Sequence, residues 1–479
     1  MHVSALAALL LAAAPASAGA PGADSSRPTP RTFRVDAFHS GNATEEHFSL
    51  DRLVLEPLPF PGNPDRPQDD LNLGKYLFEV RDLATNRVLY SRGYATVFGE
   101  WETTAEAREA WRTFHESFRF PAPERPVQLV VKKRDRRQAF REIWTLTVDP
   151  KDMYVDTSPP APAGRVIEIL KAGPPERKLD LLILGDGYTE AECRTFEAQA
   201  RKATDALLAV EPFRSRKGDL NVRALCPPAR ESGVSRPSTG IHRNSPVGAA
   251  YDAFGSERYV LALDNRRFRE VASQAPYDFV AILANAETYG GGGIQGLYAT
   301  VAAGSMWAPY VFVHELGHHI AGLADEYFTS DVAYLPGEKI EPWERNVTIL
   351  PDPSRPKWGS TPGAPVPTPW DKEGYEKRAR EFQDRRKAIR KRNGPEAEMD
   401  ALFLAQKRVE TERLAAEPFA GKVGAFEGAN YESKGAYRSE VDCIMFSRND
   451  VPFCQACRAT LDDVIDLYAG PRAPAAKGR

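Results

Sequence analysis

The chain has 479 residues, 42% of them hydrophobic and 27% charged, enough for two or three domains with sizeable cores. Its 63 basic residues are balanced by 66 acidic ones, and the net charge of −3 gives no reason to expect nucleic acid or an anionic membrane surface as partner.

Within residues 1–18, MHVSALAALLLAAAPASA, the apolar run Val3 to Ala14 is too short to span a bilayer, and the small-residue pattern Ala16-Ser17-Ala18 follows it. They read as a secretory signal peptide cleaved after Ala18. No later run is long and apolar enough for a membrane span, so the mature protein is expected to be soluble and secreted or periplasmic. Residues 19–31 are rich in Pro, Gly and Ser and read as a flexible lead-in.

From 32 to 157 the pattern is strand-like. TFRVDAF, FSLDRLVLEPL, GKYLFEVRD, NRVLYSRGYATVF, VQLVVKKRD and REIWTLTVD are short β-branched and aromatic runs separated by turn residues. Trp144, Leu146 and Val148 alternate with polar positions, as in a half-buried strand. An all-β sandwich is the expected fold, followed by a linker at 158–164.

Beyond 165 strands alternate with helices, giving an α/β-like catalytic domain over 165–479. LDLLILGDGYT is a strand entering a glycine turn, and Thr189 with Glu192 forms a capping box for the next helix. That helix carries Phe196, Ala200, Ala203 and Leu207 on one face. YDFVAIL is a buried strand and GGGGIQGLYATVA a glycine-rich approach to another. Asp186, in the turn, suits a turn former, or a calcium-binding or metal-supporting carboxylate; nothing else in the sequence supports calcium. Residues 371–417 predict two charged antiparallel helices, joined at Asn393-Gly394-Pro395 and laced with ion pairs one turn apart.

Five cysteines are present, an odd number. Cys454 and Cys457 form a CxxC with Cys443 nearby. A four-thiolate zinc knuckle would need a distant fourth ligand, so a disulfide among these three is expected, its pairing open.

The chemistry concentrates at 314–325, HELGHHIAGLAD. Positions i and i+4 share a helix face, so His314 and His318 can present two imidazoles to one zinc ion. Glu315 then stands beside the metal as a general base. His319, one position on, points to another face. Pro309 suits the first helical turn and Gly322 the reversal just past the end, which returns the chain toward the metal. Asp325 is the expected third ligand, with Glu326 as the alternative.

HELGHHIAGLADEY resembles the IgA-peptidase family of bacterial zinc metallopeptidases, assigned to the metzincin clan. Relative to the general metzincin pattern the glycine falls one residue late, at Gly322, and the ligand register moves with it to Asp325. YESKGAYRSEVDCIMFSRNDVPFCQACR (431–458) is similar to that family's C-terminal signature. The resemblance implies a metzincin-type α+β domain with one catalytic zinc, Met445 as the Met-turn residue beneath the metal, and hydrolysis of a protein or peptide substrate. It also implies that the glycine-rich run before 300 offers a strand edge to that substrate. Tyr437, or Tyr431, is a candidate for steadying the oxyanion. Two other readings share these residues: an exported binding protein whose peptidase-like domain does not turn over, and a zinc amidase acting on cell-wall peptides. The intact Glu315 favours an enzyme over the first of them.

Overall fold

The strand-like runs of the first third fold into two facing four-stranded sheets in a computed structural model that describes residues 29–330, 332–334, 339–352 and 354–471. The signal peptide read at 1–18 lies outside these residues. One sheet has the order Arg112–Pro121, Arg31–Gly41, Glu46–Pro59, Val155–Asp156; the other runs Val88–Tyr94, Tyr76–Asp82, Val127–Arg134, Phe140–Val148. Phe33, Val35, Phe118 and Phe120 of the first meet Phe78, Val80, Leu129 and Val131 of the second in one buried core.

Two details depart from the sequence reading. The strand Arg112–Pro121 was not among the expected runs, because its alternation is broken at Glu116, a buried carboxylate bonded to Nδ1 of His39 at 2.7 Å. The end of the fourth run is not strand: Thr96 accepts from the Gly99 amide and starts the short helix Val97–Trp101.

The second domain is a six-stranded sheet ordered Gly291–Ile294, Tyr298–Ala302, Phe279–Ala284, Leu179–Asp186, Leu220–Leu225, Val166–Leu170. Its four central strands are mutually parallel and both edge strands are antiparallel. Parallel strands are covered on both faces, so their side chains read as continuous apolar runs. Leu181, Ile183 and Ala281 face the helices Cys193–Leu208, Ala308–Ala321 and Gln455–Ala469, whereas Leu182, Leu184 and Ile282 face Phe268 and Ala272 of the helix Asn265–Ala272. The Thr189–Glu192 capping box is formed, and Phe196, Ala200, Ala203 and Leu207 are buried. Asp186 is buried as a loop anchor: its carboxylate accepts from Ser245 Oγ and from the amides of Val247 and Ala249, at 2.7–2.8 Å.

The charged segment forms the helices Lys372–Lys391 and Glu396–Ala415. Arg380–Glu376 is a pair one turn apart, but Arg390–Glu396 and Arg392–Glu398 close the loop between the helices instead. Tyr375, Phe382, Leu402 and Phe403 bury a narrow stripe against the main core.

The disulfide expected among Cys443, Cys454 and Cys457 is not formed. Cys193 and Cys226 are joined instead, and the other three are buried thiols. Spacing favoured the clustered three; the actual bridge links the start of a helix to the residue just past a neighbouring strand, a proximity that only the sheet creates.

Candidate metal centre and active-site cleft

The helix Ala308–Ala321 is apolar on nearly every side and buried along most of its length, with Pro309 in its first turn. Gly322 ends it at φ 57°, and its amide and that of Leu323 return to the carbonyls of His318 and Gly317. This left-handed residue turns the chain back under the helix. Asp325 thereby arrives with Oδ1 at 3.0 Å from Nε2 of His314 and 3.3 Å from Nε2 of His318; the two Nε2 atoms are 3.2 Å apart.

These three atoms have the spacing of ligands on one small cation: tetrahedral zinc with bonds of about 2.0–2.1 Å sets its ligand atoms roughly 3.4 Å apart. Both imidazoles are oriented from behind. Nδ1 of His314 donates to the carbonyl of Ile444 at 3.0 Å, and Nδ1 of His318 donates to that of Leu323. With Nδ1 protonated, both Nε2 atoms carry lone pairs, and these face each other and a buried Asp325 Oδ1 that has no hydrogen-bond donor. A metal ion between them would satisfy all three atoms at once, and without one a proton held on His318 by Asp325 answers part of the same need. Burial opposes ionisation of Asp325, yet the two histidines hold it well below the usual carboxylate range. Burial alone would lower His318, but Asp325 raises it to about 9. The residues present fit a metal ion.

Glu315 stands beside this triad, half-buried, and burial pushes its carboxyl above the ordinary value. His319 lies on the opposite side, as its position predicts: it is buried between the amide of Val280 and the carbonyl of Ile294, and burial lowers it to about 3, so it is neutral and structural. Glu326 turns away from the triad, with Oε1 at 3.2 Å from Sγ of both Cys454 and Cys457. Met445 is fully buried beneath the helix, where a Cβ on Gly317 would lie 3.0 Å from its sulfur.

The structure does not bring Tyr437 to the triad. It lies on the strand Glu432–Arg438 beside Thr348 and Glu427, whereas the cleft reaches only as far as its neighbours Gly435 and Ala436. Tyr431 does reach it, donating its hydroxyl to Oδ2 of Asp325. Tyr310, Tyr327 and Arg258 went unsingled in the sequence, where aromatic and basic residues are abundant. Tyr310 shares the Ile444 carbonyl with His314, and Arg258 lies over the Tyr327 ring.

The triad opens into a cleft of about 680 Å³. One wall is the edge strand Gly291–Ile294, which can lie against the helix only because it is glycine: a Cβ on Gly293 would sit 2.4 Å from the Glu315 carbonyl oxygen. Ala302 donates to the Gly290 carbonyl, which sets the antiparallel alternation so that Gly291 and Gly293 turn their peptide groups outward. The Arg258–Val260 loop pairs with Gly291, and Gly293 faces the cleft. The opposite wall comes from the β domain, through Lys75, Glu100, Arg134 and Gln138; Ala95 binds the Gln295 carbonyl at 2.9 Å.

A buried two-histidine, one-carboxylate triad beside a free glutamate and an exposed strand edge defines a peptidase-like site. The profile of the family described as IgA Peptidase M64 matches residues 167–465, and that of the Peptidase M64 N-terminus matches residues 26–145. The chain belongs to the IgA peptidase M64 family, a family of zinc metallopeptidases, and is a peptidase with a protein or peptide substrate. A search of curated proteins found no match. No described helix is long and apolar enough to cross a membrane.

Proposed function

We propose that the chain is an exported zinc-dependent endopeptidase of metzincin type, in which His314, His318 and Asp325 hold the metal and Glu315 is the general base. The observation that carries this reading is the convergence of both Nε2 atoms and the donor-less Asp325 Oδ1 within 3.3 Å of one another, with Glu315 alongside. When bound, zinc supplies Lewis acidity, which makes water nucleophilic near neutral pH and polarises a carbonyl. Glu315 accepts the proton of the attacking water and passes it to the leaving amine nitrogen. Burial fits the side chain to both halves of that transfer, because a raised carboxyl pKa makes its protonated form accessible. The Gly293 peptide group pairs with an extended substrate as an added strand. Export is supported by the signal-like residues 1–18.

The test is full-length mature protein assayed on casein or a peptide library with its zinc content measured. Glu315→Gln is expected to keep zinc and lose cleavage by at least about 100-fold. Undiminished cleavage in that variant sinks the mechanism.

A further inference from the structure

Behind the triad lies a second cluster. Glu326, Cys443, Cys454 and Cys457 each direct one ligand-type atom to a common point, all within 4.8 Å of one another, and each is no more than 1% exposed. Glu326 Oε1 is 3.2 Å from Sγ of Cys454 and 3.2 Å from Sγ of Cys457; Sγ of Cys443 and Cys457 are 4.0 Å apart. A disulfide needs sulfurs at about 2.05 Å. Tetrahedral zinc, with Zn–S of about 2.3 Å and Zn–O of about 2.0–2.2 Å, sets S···S edges near roughly 3.8 Å and S···O edges near roughly 3.5 Å.

Two further observations point to a cation. Glu326 is a fully buried carboxylate whose Oε2 has no hydrogen-bond partner and whose Oε1 takes a single amide donor, from Asn346 at 3.1 Å. The thiols and the field of the buried Arg438 compensate such a carboxylate only in part, because its second oxygen is unpaired. The sulfurs in turn receive backbone amides: Met445 and Cys454 donate to Cys443, and Cys457 donates to Cys454, at 3.2–3.5 Å. Cys454 caps the helix Gln455–Ala469 and Cys457 sits in its first turn, where the helix end favours thiolate.

We propose that Glu326, Cys443, Cys454 and Cys457 form a second, closed zinc site with a structural role. Four protein ligands leave no position for water, and none of the four lines the cleft. The site fastens the three segments that shape the catalytic centre. Glu326 follows the ligand Asp325 and its amide binds the Met445 carbonyl. Cys443 precedes Ile444, whose carbonyl orients His314. The remaining two thiols bring in the C-terminal helix. A charged, buried residue beside the catalytic ligand thus has a reason: Asp325 and Glu326, consecutive in the chain, serve different ions.

The experiment is metal analysis of the mature full-length chain, purified without chelating tags or added metal. Two zinc ions per chain are expected, and one in the His314→Ala/His318→Ala double variant. Reloaded with cobalt, that double variant should show a thiolate-to-cobalt charge-transfer band, which Cys454→Ser introduced alongside removes. Should Cys454→Ser fail to fold, Glu326→Gln in the same double-variant background should weaken cobalt retention at least about 10-fold. A single zinc that disappears with the two histidines overturns the proposal, as does a disulfide among the three cysteines in the intact mass. A different metal held by the thiols overturns the choice of zinc. None of these readouts depends on cleavage, so the site stands or falls apart from the proposed catalytic mechanism.

Discussion

Tyr431 donates its hydroxyl to Oδ2 of Asp325 from a backbone held at φ 64°. It is the second residue of a two-residue hairpin loop, Asn430-Tyr431, between the strands Phe426–Ala429 and Glu432–Arg438. Both loop positions have positive φ, as such turns require, and the second ordinarily takes glycine. A tyrosine there carries strain of about 1–3 kcal/mol. Its return is a phenol, kept protonated by burial, that orients Asp325, the proposed metal ligand. Tyr431→Phe is therefore expected to raise the dissociation constant for catalytic zinc about 10–100-fold in chelator competition. Tyr431→Gly should weaken zinc similarly while relieving the backbone, so that the apoprotein denatures no earlier than the parent. Unchanged zinc affinity in both variants would show that the hydroxyl does not orient Asp325.

Gly293→Val should be severe. Its Cβ would meet the Glu315 carbonyl oxygen at 2.4 Å and His318 Cβ at 2.8 Å, and the first of these is backbone that cannot swing aside. Displacing helix or strand by a fraction of an ångström is expected to lower kcat/KM by at least about 100-fold. Gly218→Ala, where an added Cβ meets nothing within 4 Å, is the matched control and should leave activity and melting temperature unchanged.

Tyr375, on the first helix of the charged hairpin, packs against Phe446, Trp370 and Phe328 at centroid distances of 5.1, 5.5 and 5.9 Å. Phe446 follows Met445, so the hairpin buttresses the Met445 turn from outside. Tyr375→Ala should cost about 3–5 kcal/mol in chemical denaturation, and Tyr375→Phe less than about 1.5 kcal/mol. Equal losses would place the contribution in the hydroxyl rather than in the ring.

His39 sits between the rings of Phe48 and Phe98, with Nδ1 at 2.7 Å from Glu116 and Nε2 at 3.0 Å from Glu46. Both nitrogens face carboxylates, so both donate and the ring is an imidazolium. Burial would lower its pKa, but Glu116 and Glu46 raise it above the ordinary value. A raised pKa in the folded state adds stability that is complete below about 6.5 and is lost as pH rises through the folded-state value. His39→Phe keeps the stacking but strands the Glu116 carboxylate and takes one donor from Glu46, which keeps Lys133 and Tyr76, so it should destabilise the β domain by about 3–5 kcal/mol at pH near 6. That difference should narrow as pH is raised above about 6.5 and through the folded-state value in denaturation curves; a gap that never narrows would mean that folding does not favour the charged ring.

How much was legible differed from residue to residue. His314, Glu315, His318 and Gly322 could be placed from spacing alone, because helical periodicity and a glycine stop are local properties. The choice of Asp325 over Glu326 could not: both follow the same reversal, and what separates them is where the Cys443–Cys457 segment lies, more than a hundred residues on. The strand Arg112–Pro121 stayed hidden because Glu116 occupies a core-facing position, and only the partner His39 makes that tolerable. Tyr437 was the first candidate and Tyr431 the second; strand register and a positive-φ turn put Tyr431 on Asp325 and left Tyr437 aside.

By itself the sequence determined the local chemistry: a strand-rich first domain, an apolar helix presenting two imidazoles and a carboxylate, and a stop that turns the chain back. These follow from periodicities of two and 3.6 residues and from the conformational freedom of one glycine. Tertiary structure decided every relation between distant segments: the disulfide of Cys193 with Cys226, the glycine strand laid against Glu315, and the division of Asp325 and Glu326 between two clusters. Such contacts arise from burial of surfaces that a linear pattern does not pair, so they became visible only when the sheet brought those segments together.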